Sequence, residues 1–406
     1  MNVKVFPSVA RGSVAAPPSK SMAHRLLICA AMAAGTSRLH GVSQCEDALA
    51  TIDCLRALGA TCTWEGEDVT VTGADLLCPP ADRKLILPCR ESGSTLRFLL
   101  PMALLSGREA TLVGADSLLR RPMAVYEEIC REKGLFYSAD HNGIAVRGPL
   151  SAGEYTLAGN VSSQFVSGLL FALSVTRGVS RIRILPPIES RSYILLTLSA
   201  LSRFGARVEW LDDTTLRIEG RKTLDACDCT VEGDYSNAAF LEAFNLFGGD
   251  VRVTGLEPAS LQGDRVYRDC FSRLARENTT VSLQDCPDLA PILFSIAAAK
   301  HGGVFTDTAR LRIKESDRAE VMAQELRKLG ARISVYENRV EILPSTLHPP
   351  TEPIDGHNDH RVVMSLAVLL SVFGGEIRGA EAAAKSFPDF FERIASIGIR
   401  TENNDK

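Results

Sequence analysis

Two kinds of segment alternate along the chain: helix-length runs that are apolar nearly all round, and shorter stretches rich in β-branched residues. Six of the apolar runs close on a glycine that leads into a β-prone stretch, at Gly35, Gly107, Gly178, Gly249, Gly303 and Gly375. The successive spacings are 72, 71, 71, 54 and 72 residues, a regularity that marks an internally repeated architecture with the Gly249 to Gly303 interval shortened. A second pattern lies about midway in each unit, an amphipathic helix running into a strand. Its clear copies are Leu55 to Cys62, Leu201 to Val208 and Leu326 to Ile333; Gly134, Asn278 and Gly398 mark weaker ones. In the clear copies Gly59, Gly205 and Gly330 suit a left-handed helix C-cap, and strands such as Thr61 to Trp64 and Arg207 to Trp210 follow.

Each unit therefore holds one helix that must be buried, one amphipathic helix and several strands. The expected fold class is α/β, with two domains of three repeated βαβαββ-type units each, the apolar helices packed inside and the sheets toward solvent. The polar segment Gly220 to Thr223 is the expected crossing after the third unit. The strand Val3 to Phe6 precedes the first unit and is a candidate to complete the other domain's sheet, which makes Gly12 to Ser21 a second crossing. The domains are then 1–19 with 223–406, discontinuous, and 20–222, inserted, with an active site expected in the cleft of the two.

Composition narrows the class. A length of 406 residues fits two cores, and 45% hydrophobic with 23% charged residues describes an ordinary globular protein. A net charge of -4 argues against general nucleic-acid or membrane-surface binding, so any cationic site must be local. The eleven cysteines are scattered, with only Cys227 and Cys229 close together, so neither a disulfide framework nor a zinc site is expected and the thiols read as buried and reduced. The N-terminus lacks the apolar core of a signal peptide, and the longest apolar run, Val362 to Phe373, is too short to span a bilayer; a cytoplasmic location is expected.

The chemistry collects where the buried helices begin. The first starts at Pro17 to Arg25: two prolines forbid a helix before Ser19, either Ser19 or Ser21 suits the N-cap, and Lys20 and Arg25 oppose the helix dipole unless an anion lies opposite. The second starts at Glu91 to Arg97, the third at Asn160 to Gln164, the fourth at Asp234 to Asn237, the fifth at Asp285 to Asp288 and the sixth at Asn358 to Arg361. Taken singly, each reads as ordinary capping; equivalent ends pointing one way would present unpaired N–H groups to one cleft. Loops add the cations Arg120 and Arg121, Lys314 and Arg318, and Lys385. Arginines and lysines among hydroxyl and amide donors describe a site for phosphate plus carboxylate. Asp288, Glu315 and Asp47 are candidate proton carriers, with helix capping or surface pairing as the other reading of each, and His360 is a candidate proton shuttle. A Walker phosphate loop, a nucleophile elbow and a metal-binding histidine pair are all missing.

These motifs resemble one family. Pro18 to Ser21 through Arg25, Gly93 with Arg97, Arg121 to Met123, Ser162 to Gln164, Pro287 and Asp288, Lys314 to Arg318, Asn358 to Arg361 and Lys385 to Pro388 are similar to those of the EPSP synthases (3-phosphoshikimate 1-carboxyvinyltransferases), in the same order and nearly end to end. The resemblance implies the enolpyruvyl transferase fold, an inside-out α/β barrel. It implies transfer of the enolpyruvyl group of phosphoenolpyruvate to the 5-hydroxyl of shikimate 3-phosphate, with release of phosphate, on the route to chorismate and the aromatic amino acids. It implies that neither metal nor organic cofactor takes part; no nucleic-acid or membrane partner is expected, and a monomer is expected. It further implies Ser21, Arg25, Ser162, Ser163, Gln164, Ser190 and Lys314 as shikimate-phosphate ligands, with Tyr193 stacking nearby and Lys20 and Asp288 in contact. Lys20, Gly93, Arg121, Gln164, Arg318, Arg361 and Lys385 are implied for phosphoenolpyruvate. Asp288 resembles the base, and Glu315 and Lys20 the proton donors and relays, with His360 beside them. Glu91 and Arg310 depart from the pattern, each standing where other members carry Asn. Two rivals stand beside this reading. A UDP-N-acetylglucosamine enolpyruvyl transferase usually carries a Cys before its Arg-Pro, where this chain has Ala115 to Arg121, and an Asn after its Lys, where this chain has Ser21. A non-catalytic phospho-ligand binder gains nothing from carboxylates placed beside the cations.

Overall fold

A computed structural model describes residues 1–81 and 84–404. The chain forms two compact units, 1–17 with 233–406 and 18–232. Each has its own hydrophobic core, and no core residue of one belongs to the other.

In the unit 18–232 the buried helices are Lys20–Ala31, Gly93–Ala103 and Ser163–Ser174, and the amphipathic ones include Glu46–Ala57, Ala124–Lys133 and Arg191–Arg203. Three four-stranded sheets cover them, and all three share one plan. A lead strand runs parallel to the strand that follows the buried helix, and a hairpin then adds two antiparallel strands. Glu154–Ala158, Gly178–Leu185, Thr215–Gly220 and Arg207–Trp210 show this order most fully. Pro101 lies inside the helix Gly93–Ala103, and the backbone of all three buried helices is screened by apolar side chains with little exposure. The glycines expected as caps do take positive φ, 112° at Gly59 and 74° at Gly205. There a Cβ would be strained.

The other unit repeats the plan with the buried helices Tyr235–Ala243, Ala290–Ala299 and His360–Phe373. Its sheet of Thr279–Ser282, Gly303–Thr306, Arg339–Leu343 and Arg332–Val335 follows the same order. Its last sheet does so with the hairpin opened. The two antiparallel strands are the chain's own ends, Asn2–Val5 against Gly375–Arg378 and Thr401–Asn403 against Asn2–Val5. The shortened interval has a structural cause as well. The strand Asp250–Thr254 pairs only with Arg11–Ala15, among the described residues, so a hairpin such as Thr61–Glu65 with Asp68–Thr72 in the first unit has no counterpart there.

The lead strand of the first unit is Cys229–Thr230, parallel to Thr36–His40, and Leu224–Asp225 pairs with Ala33–Ala34. Residues 223–232 are therefore tied to 18–232 by main-chain bonds and lie beyond the polar segment Gly220 to Thr223 without leaving it. All eleven cysteines are free thiols; nine are buried, whereas Cys78 is exposed and Cys227 partly so, which corrects the expectation of uniform burial. Among the described residues no helix is long and apolar enough to cross a membrane, and no group of acidic, His or Cys side chains could hold a metal ion.

Candidate active site

In the unit 18–232 the polar residues sit where the helices begin. Ser19 is the N-cap of Lys20–Ala31, its side chain accepting from Met22 N, which decides between the two serines. Lys20 at the first helical position pairs with Asp47 at 2.8 Å, both side chains 12% exposed. Asp47 is thus a buried partner of a site lysine and no surface acid. Arg25 is buried and donates to Thr197 Oγ1 at 2.8 Å, to the Ser21 carbonyl at 2.6 Å and to the Tyr193 carbonyl at 2.9 Å. Its guanidinium lies over the Phe98 and Tyr193 rings, 5.1 and 5.9 Å from their centroids. Burial pushes its pKa down to about 10, so it stays charged near neutrality. Ser190, just before the helix that carries Tyr193 and Thr197, is buried and left-handed at φ 55°.

The second cluster forms around Gly93. A Cβ there would lie 2.5 Å from Arg121 Nη1, so the glycine is what lets that guanidinium stand against the start of the helix Gly93–Ala103. Arg97, buried one turn on, donates to Gln164 Oε1 at 2.8 Å, and Gln164 Nε2 donates to Ser94 Oγ at 3.0 Å. Gln164 is thereby held by the neighbouring helix start, and Ser162 caps its own helix by accepting from Gln164 N. Two guanidinium groups beside a helix N-terminus are chemically suited to an anion. Arg90, beside Glu91, spans Glu46 at 2.6 Å and Asp53 at 2.7 Å.

The other unit brings its site residues together by direct bonds. Asp288 stands on a short turn before Ala290–Ala299 and receives Lys314 Nζ at 3.3 Å and Arg318 Nη1 at 2.8 Å on one oxygen, and Arg361 Nη2 at 3.1 Å on the other. Arg318 also holds Glu315 at 2.6 Å and Asp359 at 2.9 Å. Asp359 in turn caps His360–Phe373 by accepting from Arg361 N. Arg318 is 1% exposed. Burial lowers its pKa, but Asp359, Glu315 and Asp288 together outweigh that and raise it. Burial also lowers the Lys314 ammonium, with Asp288 opposing, which makes that proton easier to move. Lys385 Nζ donates to the Asn358 carbonyl at 2.7 Å. His360 is 1% exposed, its Nδ1 4.0 Å from Asp359. Arg310 is buried and bonds the Gln284 carbonyl at 2.6 Å, which fixes it by the main chain.

Two participants carry no signal in the sequence. Thr197 holds Arg25 from a residue 172 positions away. Asp264, 2% exposed on the turn Gly263–Val266, bonds Ser236 and carries a carboxyl pushed up to about 7 by burial and by Asp288, with Arg361 opposing. A lone Asp in a polar loop gives no warning of such burial.

The chain is similar to known proteins over nearly its whole length. Residues 7–394 match the family model described as EPSP synthase (3-phosphoshikimate 1-carboxyvinyltransferase). The chain is 35% identical to the 3-phosphoshikimate 1-carboxyvinyltransferase of Clostridium kluyveri over 98% of its length and 97% of that protein's. It is 34% identical to the enzyme of that name from Clostridium perfringens strain SM101, over 98% and 99%. Among solved structures, EPSP synthase from Acinetobacter baumannii superposes with a TM-score of 0.79 at 24% identity over 99% of both chains. The enolpyruvyl transferase NikO from Streptomyces tendae does so with a TM-score of 0.79 at 16% identity, over 99% of this chain and 98% of its own.

Proposed function

The chain belongs to the EPSP synthase family, and from that premise we propose that it transfers the enolpyruvyl group of phosphoenolpyruvate to the 5-hydroxyl of shikimate 3-phosphate. The products are 5-enolpyruvylshikimate 3-phosphate and phosphate. The observation that carries the reading is Asp288, a carboxylate held by Lys314, Arg318 and Arg361 at 2.8 to 3.3 Å. An anion-binding module has no use for an acid at the centre of its cations, whereas proton transfer beside two anionic substrates needs one.

The reaction adds and then eliminates. The 5-hydroxyl oxygen bonds to C2 of phosphoenolpyruvate while the methylene carbon gains a proton and the hydroxyl loses one. The tetrahedral adduct then loses a methyl proton as its C–O bond to phosphate breaks, which restores the double bond. Asp288 takes the hydroxyl proton; Glu315 and Lys20 supply and recover the carbon-bound one. Lys20, paired with Asp47, is an ammonium with a ready proton acceptor at 2.8 Å. His360, buried with its Nδ1 4.0 Å from Asp359, is the candidate proton shuttle beside them. Positioned proton transfers of this kind contribute about 10²–10⁴-fold each.

Ser21, Arg25, Ser162, Ser163, Gln164, Ser190, Tyr193 and Lys314 form the proposed acceptor set. Gly93, Arg121, Gln164, Arg318, Arg361 and Lys385 form the donor set. The guanidinium pair at the Gly93 helix start and the Lys385 ammonium are suited to phosphate and carboxylate oxygens. The test mixes the protein with shikimate 3-phosphate and phosphoenolpyruvate and follows phosphate release. Release with this pair, and loss of it in Lys20→Ala and Asp288→Ala variants that keep their fold, is the expected result. Release only with UDP-N-acetylglucosamine as acceptor would refute it.

A further inference from the structure

The turn that leads into His360–Phe373 is left-handed at two successive residues that carry a Cβ, His357 at φ 49° and Asn358 at φ 53°. Such backbone persists only where its surroundings hold it. On one side of the turn the holding groups are explicit. His357 N donates to Asp355 Oδ1 at 2.6 Å, and His357 Nε2 meets Glu325 Oε1 at 2.9 Å. Glu325, with a side chain 0% exposed, uses its other oxygen for Asp355 N at 2.9 Å and Lys328 at 2.8 Å. On its other side the turn presents the Asn358 carbonyl to Lys385 and the Asp359 carboxylate to Arg318 and Ser316.

We propose that His357 is a positioning residue: held by its ring contact with buried Glu325 it fixes the left-handed turn, and through the turn it sets Lys385, Asp359 and Arg361 for phosphoenolpyruvate. The inference rests on the proposed function for the identity of that ligand. The ionisable groups facing the ring are Glu325 and Lys328 from the helix Arg318–Lys328 and Asp355 from the strand Ile354–Asp355. The hydrogen bond from Glu325 outweighs burial and raises the imidazole pKa above its ordinary value. The clamp therefore persists to higher pH than an ordinary imidazole would allow and loosens as the ring loses its proton.

The experiment measures kcat and KM for phosphoenolpyruvate against pH in the wild type, in His357→Gly, which tolerates the turn without the ion pair, and in His357→Lys, which restores a cation. At neutral pH His357→Gly is expected to raise KM for phosphoenolpyruvate about tenfold with kcat within about twofold, since a loosened ligand shell weakens binding before chemistry. The wild-type KM is expected to climb at alkaline pH, and His357→Lys to recover the neutral-pH KM without that climb. A wild-type KM in His357→Gly, or a flat wild-type profile, overturns the proposal. Amide exchange across 356–361 in the free protein separates this outcome from failure of the functional reading. If the wild type turns over neither substrate, exchange that is faster in His357→Gly and restored in His357→Lys still supports the clamp, and unchanged exchange overturns it.

Discussion

A Cβ added to Gly93 would stand 2.5 Å from Arg121 Nη1, and the tip of an arginine can swing aside where backbone cannot. Gly93→Ala is therefore expected to fold and melt as the wild type does while displacing a proposed phosphoenolpyruvate ligand. The outcome to look for is a KM for that substrate raised about tenfold or more with KM for shikimate 3-phosphate little changed; parallel changes in both would sink the argument. Asp264 makes a prediction of a different kind. Its native carboxyl holds a proton up to about pH 7, through a range where the unfolded chain has already released it. The native state then binds more protons between about pH 4 and 7, so this group's contribution to stability is present below that window and is lost as pH rises through it. Asp264→Asn is expected to flatten that fall and to be more stable than the wild type at pH 8, on the order of a few kcal/mol. Denaturant titrations at pH 4.5 and 8 decide it, and an unchanged pH slope would count against the buried proton.

At the scale of elements, the same position carries unequal weight in two helices. Ser92 caps Gly93–Ala103 by accepting from Thr95 N, and its loss to Ala should cost about 1 kcal/mol. Asp359 caps His360–Phe373 and also faces Arg318, so Asp359→Ala leaves a buried guanidinium short of a partner and should cost about 3–5 kcal/mol. Chemical denaturation of the two variants should separate by that margin; equal losses would mean that Asp359 acts as a cap alone. This difference also shows what could be read from the chain beforehand. Caps, glycine stops and apolar helices are local, and the spacing of Gly35, Gly107, Gly178, Gly303 and Gly375 made the repeat plain. Side-chain partners are not local: Lys20 meets Asp47 across 27 residues and Arg318 meets Asp359 across 41, and no propensity encodes either. Parallel pairings such as Asp250–Thr254 with Arg11–Ala15 are equally silent, because each strand looks like any other until a partner from far along the chain arrives. Candidate residues could thus be named from their motifs, whereas the charge network that would tune them could not.

For the whole molecule the consequence lies in how the chain ends are used. Asn2–Val5 is an inner strand of the sheet that also holds Gly375–Arg378 and Thr401–Asn403, and Val5 is 0% exposed in the core of the unit 1–17 with 233–406. The N-terminus therefore stabilises the unit that contains the C-terminus, although 215 residues of the other unit, Pro18–Glu232, intervene. Both tryptophans, Trp64 and Trp210, pack against the other core, so their emission follows the unit 18–232 alone. Val5→Ala removes buried apolar surface worth about 1.5–3 kcal/mol, and it should bring the calorimetric transition of one unit to lower temperature while leaving the tryptophan transition in place. Phe171→Ala, costing about 3–5 kcal/mol in the core that the tryptophans join, should do the reverse. If both probes move together in both variants, the two cores unfold as one cooperative body, and the repeats are then coupled across the chain more tightly than their separate cores imply.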